Sequence, residues 1–151
     1  MNIRITIVLF SASTIAFMAL YFFFNPSYQK SLQAKYYYEV GDYNEAYSNA
    51  KEAFGLDSYN RMAATVMAQS QTSLKYVKYV NESKGYMSQI NDIVNKENIE
   101  DSDKARIRLI CEIMKSSYIK LAPSIITDKE LVQDAAYYHA GFEQLLEKVD
   151  R

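Results

Sequence analysis

The chain has 151 residues, a formal net charge of −1, a single cysteine and no tryptophan. That length suits one domain of ordinary size, and the near-neutral charge supplies no bulk attraction to nucleic acid. Cys111 stands alone, so an intrachain disulfide is excluded. Both reducing and oxidising compartments stay open if its thiol is buried. Fourteen tyrosines favour helix seams and partner surfaces, where an apolar ring with a polar tip is useful.

Residues Ile5–Phe24 read ITIVLFSASTIAFMALYFFF, without a charge. As a helix this stretch rises about 30 Å, the thickness of a bilayer's hydrocarbon core. Asn25-Pro26 stops it, because the residue before proline disfavours the helical region. Tyr21 and Tyr28 sit where amphipathic rings meet lipid headgroups. Arg4 and the amino terminus would also form the positive start of a signal peptide. The apolar run, however, exceeds the roughly 7–15 residues of such a segment, and no small-x-small cleavage site follows it. A buried core helix is the third reading of the same stretch. The expectation is an uncleaved signal-anchor over residues 1–26 that contacts the lipid bilayer through residues 5–24. A helical domain follows over residues 27–151. The topology rules place its carboxyl-terminal domain outside the cytoplasm, in the periplasm of a diderm bacterium with the anchor in the inner membrane.

Beyond Pro26 the pattern is all-α. Six helices are predicted, at about Tyr28–Val40, Tyr43–Phe54, Asp57–Gln69, Thr72–Asn95 and Asp103–Leu121, then a final one after Thr127. Gly55 is the expected cap of the second, followed by an apolar Leu56. The third carries Met62, Ala63, Val66 and Met67. The fourth carries Leu74, Val77, Tyr79, Val80, Met87, Ile90 and Val94, with Gly85 as a kink or close-packing point. Asp101 or Ser102 would cap the fifth, whose stripe is Ile107, Ile110, Cys111, Met114, Tyr118 and Leu121. Pro123 closes it. Thr127 and Glu130 have capping-box spacing, and Leu131, Ala135, Tyr138, Phe142, Leu145 and Val149 form the last stripe.

The stretch GDYNEAYSNAKEAFGLD, Gly41 to Asp57, resembles the tetratricopeptide repeat, a helix–turn–helix unit of roughly 34 residues. Gly41, Asp42, Tyr43 and Ala46 match the turn and the small position after it. Ala53 is the later small residue, and Leu56-Asp57 precedes the next unit with Ser58 in place of the usual proline. In the first helix Ala34 matches the small position and Tyr37 the aromatic that packs on the second helix. The likeness covers Ser27 to Asn60 and fades afterwards, since Gln69-Ser70-Gln71-Thr72-Ser73 replaces the next Gly-Asp-Tyr turn. Independently of the name, Ala46 and Ala53 lie on one helical face, where small side chains allow close backbone approach. A lone helix pair cannot bury both faces, so neighbours are required.

The resemblance implies a partner-binding surface on the first helix of each pair, with Tyr36, Tyr38, Asn60, Ala64 and Gln71 as its candidates. Its packing set is Ala34, Tyr37, Gly41, Tyr43, Ala46 and Ala53. No phosphate loop, His-Glu-x-x-His or serine elbow occurs. His139, the sole histidine, is assigned to packing or surface, and Cys111 to burial in its stripe. The acidic run Glu97, Glu100, Asp101 and Asp103 lacks calcium-loop spacing. Lys75, Lys78 and Lys84 read as a solvated face. No enzyme activity, cofactor, metal, nucleic acid or small-molecule substrate is expected. The expected function is a membrane-anchored protein-interaction scaffold of the bacterial envelope. The outline is also similar to accessory scaffold proteins of the bacterial flagellar motor. A periplasmic chaperone-like or assembly factor beside the secretion machinery is the alternative.

Overall fold

The computed structural model describes residues 3–122 and 127–149. Pro123, expected to close the fifth helix, and the side chain of Arg4 lie outside the described residues. The fold is all-α, with no strand among the described residues. Its helices are α1 (Ile3–Phe24), α2 (Pro26–Glu39), α3 (Tyr43–Leu56), α4 (Arg61–Val94), α5 (Asp101–Ile119) and α6 (Lys129–Val149). The chain packs as two compact units, Met1–Ser70 and Gln71–Arg151, where the sequence predicts a single helical domain over 27–151.

Helix α1 is the one helix among the described residues long and apolar enough to cross a membrane, over Ile5–Phe24. None of that span is buried by the rest of the chain, so the buried-core reading does not hold. Asn25 ends it and starts α2, accepting the Ser27 N–H at 2.9 Å with Pro26 as the first helical residue. A proline there loses nothing, because the first N–H groups of a helix have no intrahelical partner.

In the first unit α2 and α3 pack as a hairpin. Ser27, Ser31 and Ala34 form the buried ridge of α2. Ala46, Ala50 and Ala53 form that of α3, each completely buried. Both ridges follow the i, i+4, i+7 spacing of one helical face. Ser27 Oγ donates to the Ala53 carbonyl at 2.8 Å, a backbone contact that a larger residue at either position would block. The start of α4 closes this core through Val66, with Tyr37, Tyr38, Met62 and Met67 packed around it.

The connection between α2 and α3 is a Schellman turn. Gly41 has φ +83°, its N–H reaches the Tyr38 carbonyl at 3.1 Å, and the Asp42 N–H reaches that of Tyr37 at 2.9 Å. Glycine is needed here because a Cβ is strained in the left-handed region. Asp42 then caps α3 by accepting the Glu45 N–H at 3.1 Å.

Two predicted boundaries are corrected, one within α4 and one at the end of α3. The predicted helices 57–69 and 72–95 are one helix, Arg61–Val94. Gln69 to Ser73 contains no glycine or proline, and its serines are fully buried at positions 70 and 73, so small polar residues sit on the packed face instead of breaking it. Nor is Gly55 a cap: it lies within α3, which ends at Leu56 with Asp57 as the extended C-cap. Gly85 has nothing within 4 Å of a notional Cβ, which removes it as a close-packing point.

The second unit joins the later part of α4 to the α5–α6 hairpin around one apolar core. The predicted stripes of α5 and α6 supply it, with Ile107, Ile110, Cys111, Met114, Ala135 and Phe142 buried. On α4 the buried face contains Tyr76, Tyr79, Val80, Ile90 and Ile93. Predicted Val94 is half exposed, one residue out of phase with Ile93. Glu100, rather than Asp101 or Ser102, caps α5 in a capping box with Asp103. The Glu130 N–H donates to Asp128 at 2.9 Å, so the residue just before α6 contributes the cap where Thr127 is expected. A Cβ at Gly141 would meet only the flexible end of Met87, Cε at 2.9 Å.

Candidate protein-binding groove

A groove of about 430 Å³ opens in the first unit between α2 and the start of α4. Lys35, Tyr38 and Glu39 line it from α2; Arg61, Met62, Thr65, Val66 and Gln69 line it from α4. Arg61, Thr65 and Gln69 recur every fourth residue, which aligns them along one side of the helix. Met62 and Val66 make the floor continuous with the core of the hairpin. The Tyr38 ring is held edge-on to Tyr43, centroids 5.4 Å apart.

Lys35, Glu39 and Arg61 have no ion pair among the described residues, whereas Lys30 on the same helix pairs with Glu52 at 2.9 Å. The groove therefore combines an apolar floor, one aromatic wall and charges available to a partner. Recognition surfaces in general combine an apolar centre that excludes water with a polar edge that sets orientation.

The structure redistributes the predicted partner-binding residues. Tyr38 lines the groove. Tyr36 is exposed, but on a separate stripe with Leu32 and Val40. Ala64 is half buried and outside the lining, and Gln71 is exposed in the second unit.

Asn60 requires correction as a contact residue, because it is completely buried. Its side-chain amide donates to Ser27 Oγ at 2.9 Å and Ser31 Oγ at 3.3 Å, and its Oδ1 accepts the Ala63 N–H at 3.1 Å. It caps α4 and ties that helix to α2. Of the packing set, Ala34, Ala46 and Ala53 are inaccessible, Tyr43 is buried, Tyr37 packs against the alanine core, and Gly41 makes the turn. Lys35, Glu39, Arg61, Met62, Thr65 and Gln69 were missed as groove residues. The four-residue spacing from Arg61 to Gln69 was the readable signal.

In the second unit His139 stacks on Tyr118, with ring centroids 4.0 Å apart and planes at 8°. Its Nε2 lies 3.7 Å from Glu143 Oε1, which Lys115 Nζ also approaches at 3.6 Å. His139 thus has a carboxylate neighbour one turn away, a pairing that the sequence reading did not identify. Burial pushes the Cys111 thiol above its ordinary range, which keeps it protonated and a weak nucleophile. Burial likewise pushes Tyr79 up to about 12. Among the described residues no group of three or more His, Cys, Asp and Glu side chains could hold a metal ion.

Comparison with family models, with curated proteins and with solved structures finds no match for this chain.

Proposed function

We propose that the chain is a non-enzymatic scaffold, anchored in a bacterial inner membrane by α1, that binds a partner protein through the α2–α4 groove of its first unit. The supporting observation is the groove itself, which presents Tyr38, an apolar floor and the uncommitted charges of Lys35 and Arg61. It belongs to the same unit as a helix long and apolar enough to cross a membrane. An anchor confines the groove to the layer beside the membrane. That raises the effective concentration of a membrane-bound partner, so modest intrinsic affinity suffices.

The repeat resemblance of Ser27–Asn60 fits this reading, because stacked helix pairs commonly bind partners along the face of their first helices. Placement of the helical units in the periplasm follows from the signal-anchor reading of α1.

Purification from native membranes, with intact-mass measurement and partner identification, tests it. The proposal expects a chain that retains α1 and carries one dominant partner at fixed stoichiometry. A product lacking the first residues through Phe24 contradicts the anchor. A broad set of unfolded clients contradicts the scaffold and favours the chaperone alternative.

A further inference from the structure

The connection between α3 and α4 exposes two large side chains. Leu56 is 57% exposed and Tyr59 is 91% exposed. Asp57 between them shapes the loop by accepting the Tyr59 N–H at 2.9 Å. This loop is beside the end of the apolar helix: Leu56 and Asp57 share an open cavity of about 460 Å³ with Tyr21, Asn25, Pro26 and Ser27.

The position is fixed from both sides. Gln29 Nε2 donates to the Phe23 carbonyl at 2.7 Å, and the Phe22 and Tyr28 rings meet edge-on at 4.7 Å, so α2 is tied to the end of α1. Ser27 bonds the Ala53 carbonyl at 2.8 Å and receives the Asn60 amide at 2.9 Å, which holds both ends of the loop against the start of α2.

We infer that Leu56 and Tyr59 form a second membrane contact, seated in the lipid interface beside the point where α1 leaves the bilayer. The inference rests on the reading of α1 as an anchor. Tyr21 lies four residues before Asn25, about 6 Å of helix rise. Leu56 lines the same cavity as Tyr21, Asn25, Pro26 and Ser27, so it lies beside the stretch where the apolar span ends. An exposed leucine beside the end of the span, with an exposed tyrosine three residues on in the same loop, matches the interfacial zone, where amphipathic rings sit at the headgroups and apolar side chains enter by about 5–10 Å. The loop contact prevents the first unit from swinging freely about Asn25 and gives its groove a set orientation to the membrane.

The chain has no tryptophan, so a substituted one reports a single position. Full-length Tyr59→Trp, Leu56→Trp, Phe22→Trp and Tyr36→Trp chains are placed one per lipid nanodisc, with plain phosphatidylcholine or lipid brominated at defined acyl depths. The inference expects bromine near the headgroup to reduce Tyr59→Trp and Leu56→Trp emission about twofold, as for rings at the interface. Phe22→Trp should be quenched within the acyl region, and Tyr36→Trp should be unaffected. Unchanged emission from both loop variants while Phe22→Trp is quenched overturns the loop contact and leaves the anchor standing. No quenching of Phe22→Trp overturns the anchor reading and the inference with it. Equal quenching of Tyr36→Trp also overturns the inference, because contact would not be confined to this loop.

Discussion

Asn60 and Ser27, thirty-three residues apart in sequence, meet in a buried hydrogen bond of 2.9 Å. Ser27 passes the connection on to the Ala53 carbonyl at 2.8 Å. Three helices are thereby pinned at one point: the start of α2, the last turn of α3 and the cap of α4. Asn60→Ala leaves Ser27 and Ser31 without this amide and the Ala63 N–H without its acceptor. A lost buried hydrogen-bond partner costs about 1–3 kcal/mol, and loss of an N-cap about 1 kcal/mol. Thermal unfolding of the full chain in detergent should show a lower midpoint for Asn60→Ala. An unchanged midpoint would mean that the pin is not a source of stability.

The alanine ridge gives a second prediction. Ala46 is completely buried and faces the α2 core with Ala34 and Ala50. Ala46→Leu adds volume where the helices have closed on each other, and overpacking of this kind costs about 1–3 kcal/mol. Ala64→Leu, at a half-buried site outside the alanine core, should cost less. Denaturant titration of both variants checks the order, and equal midpoints would contradict close packing at Ala46.

Two glycines should respond in opposite directions to alanine. Gly41 lies at φ +83°, so Gly41→Ala should destabilise by about 1–2 kcal/mol, the cost of an L-residue in the left-handed region. Gly55 is helical, with free space around a notional Cβ. Gly55→Ala should stabilise by about 0.5–1 kcal/mol through helix propensity. Paired melting curves test this, and a shift of the same sign in both would refute the assigned backbone roles.

Acid should weaken the second unit through Asp103. Its hydrogen bond from Lys96 Nζ, at 2.6 Å, is the main reason its carboxyl is held below the ordinary carboxylate range. A depressed folded value means that the unfolded state binds the proton first as pH falls. The contribution is present above the unfolded value near pH ~4 and is lost as pH drops through the depressed one. Asp103→Asn should lower the melting temperature at pH 7, and the difference from the unsubstituted chain should shrink towards pH 3. A difference independent of pH would exclude the carboxylate as its cause.

The helical periods were readable because α5 and α6 carry dense apolar stripes, and the turn at Gly41 because its chemistry is local. The ridge on α3 was visible as Ala46 and Ala53, although Ala50 between them was not singled out. Asn60 was misplaced because the helix was expected to start at Asp57, which put Asn60 on the binding face of a repeat's first helix, while its partners Ser27 and Ser31 are supplied from far along the chain. The unity of α4 was hidden by Gln69-Ser70-Gln71-Thr72-Ser73, whose polar composition resembles a linker although Ser70 and Ser73 face inward. The groove was only partly legible. Tyr38 announced itself as an aromatic, whereas Arg61, Thr65 and Gln69 acquire a common purpose only once α4 lies alongside α2.

Site-specific photocrosslinking in native membranes tests the central claim most directly. A photoreactive side chain is placed at Thr65, inside the groove, or at Gln33, exposed on α2 and outside the lining. The account predicts one discrete protein adduct from position 65 and none of that mass from position 33. Arg61→Glu, at an exposed residue with no ion pair among the described residues, should reduce that adduct by at least about tenfold through charge reversal at the interface. The same adduct from both positions, or an undiminished one with Arg61→Glu, would contradict binding through the α2–α4 groove.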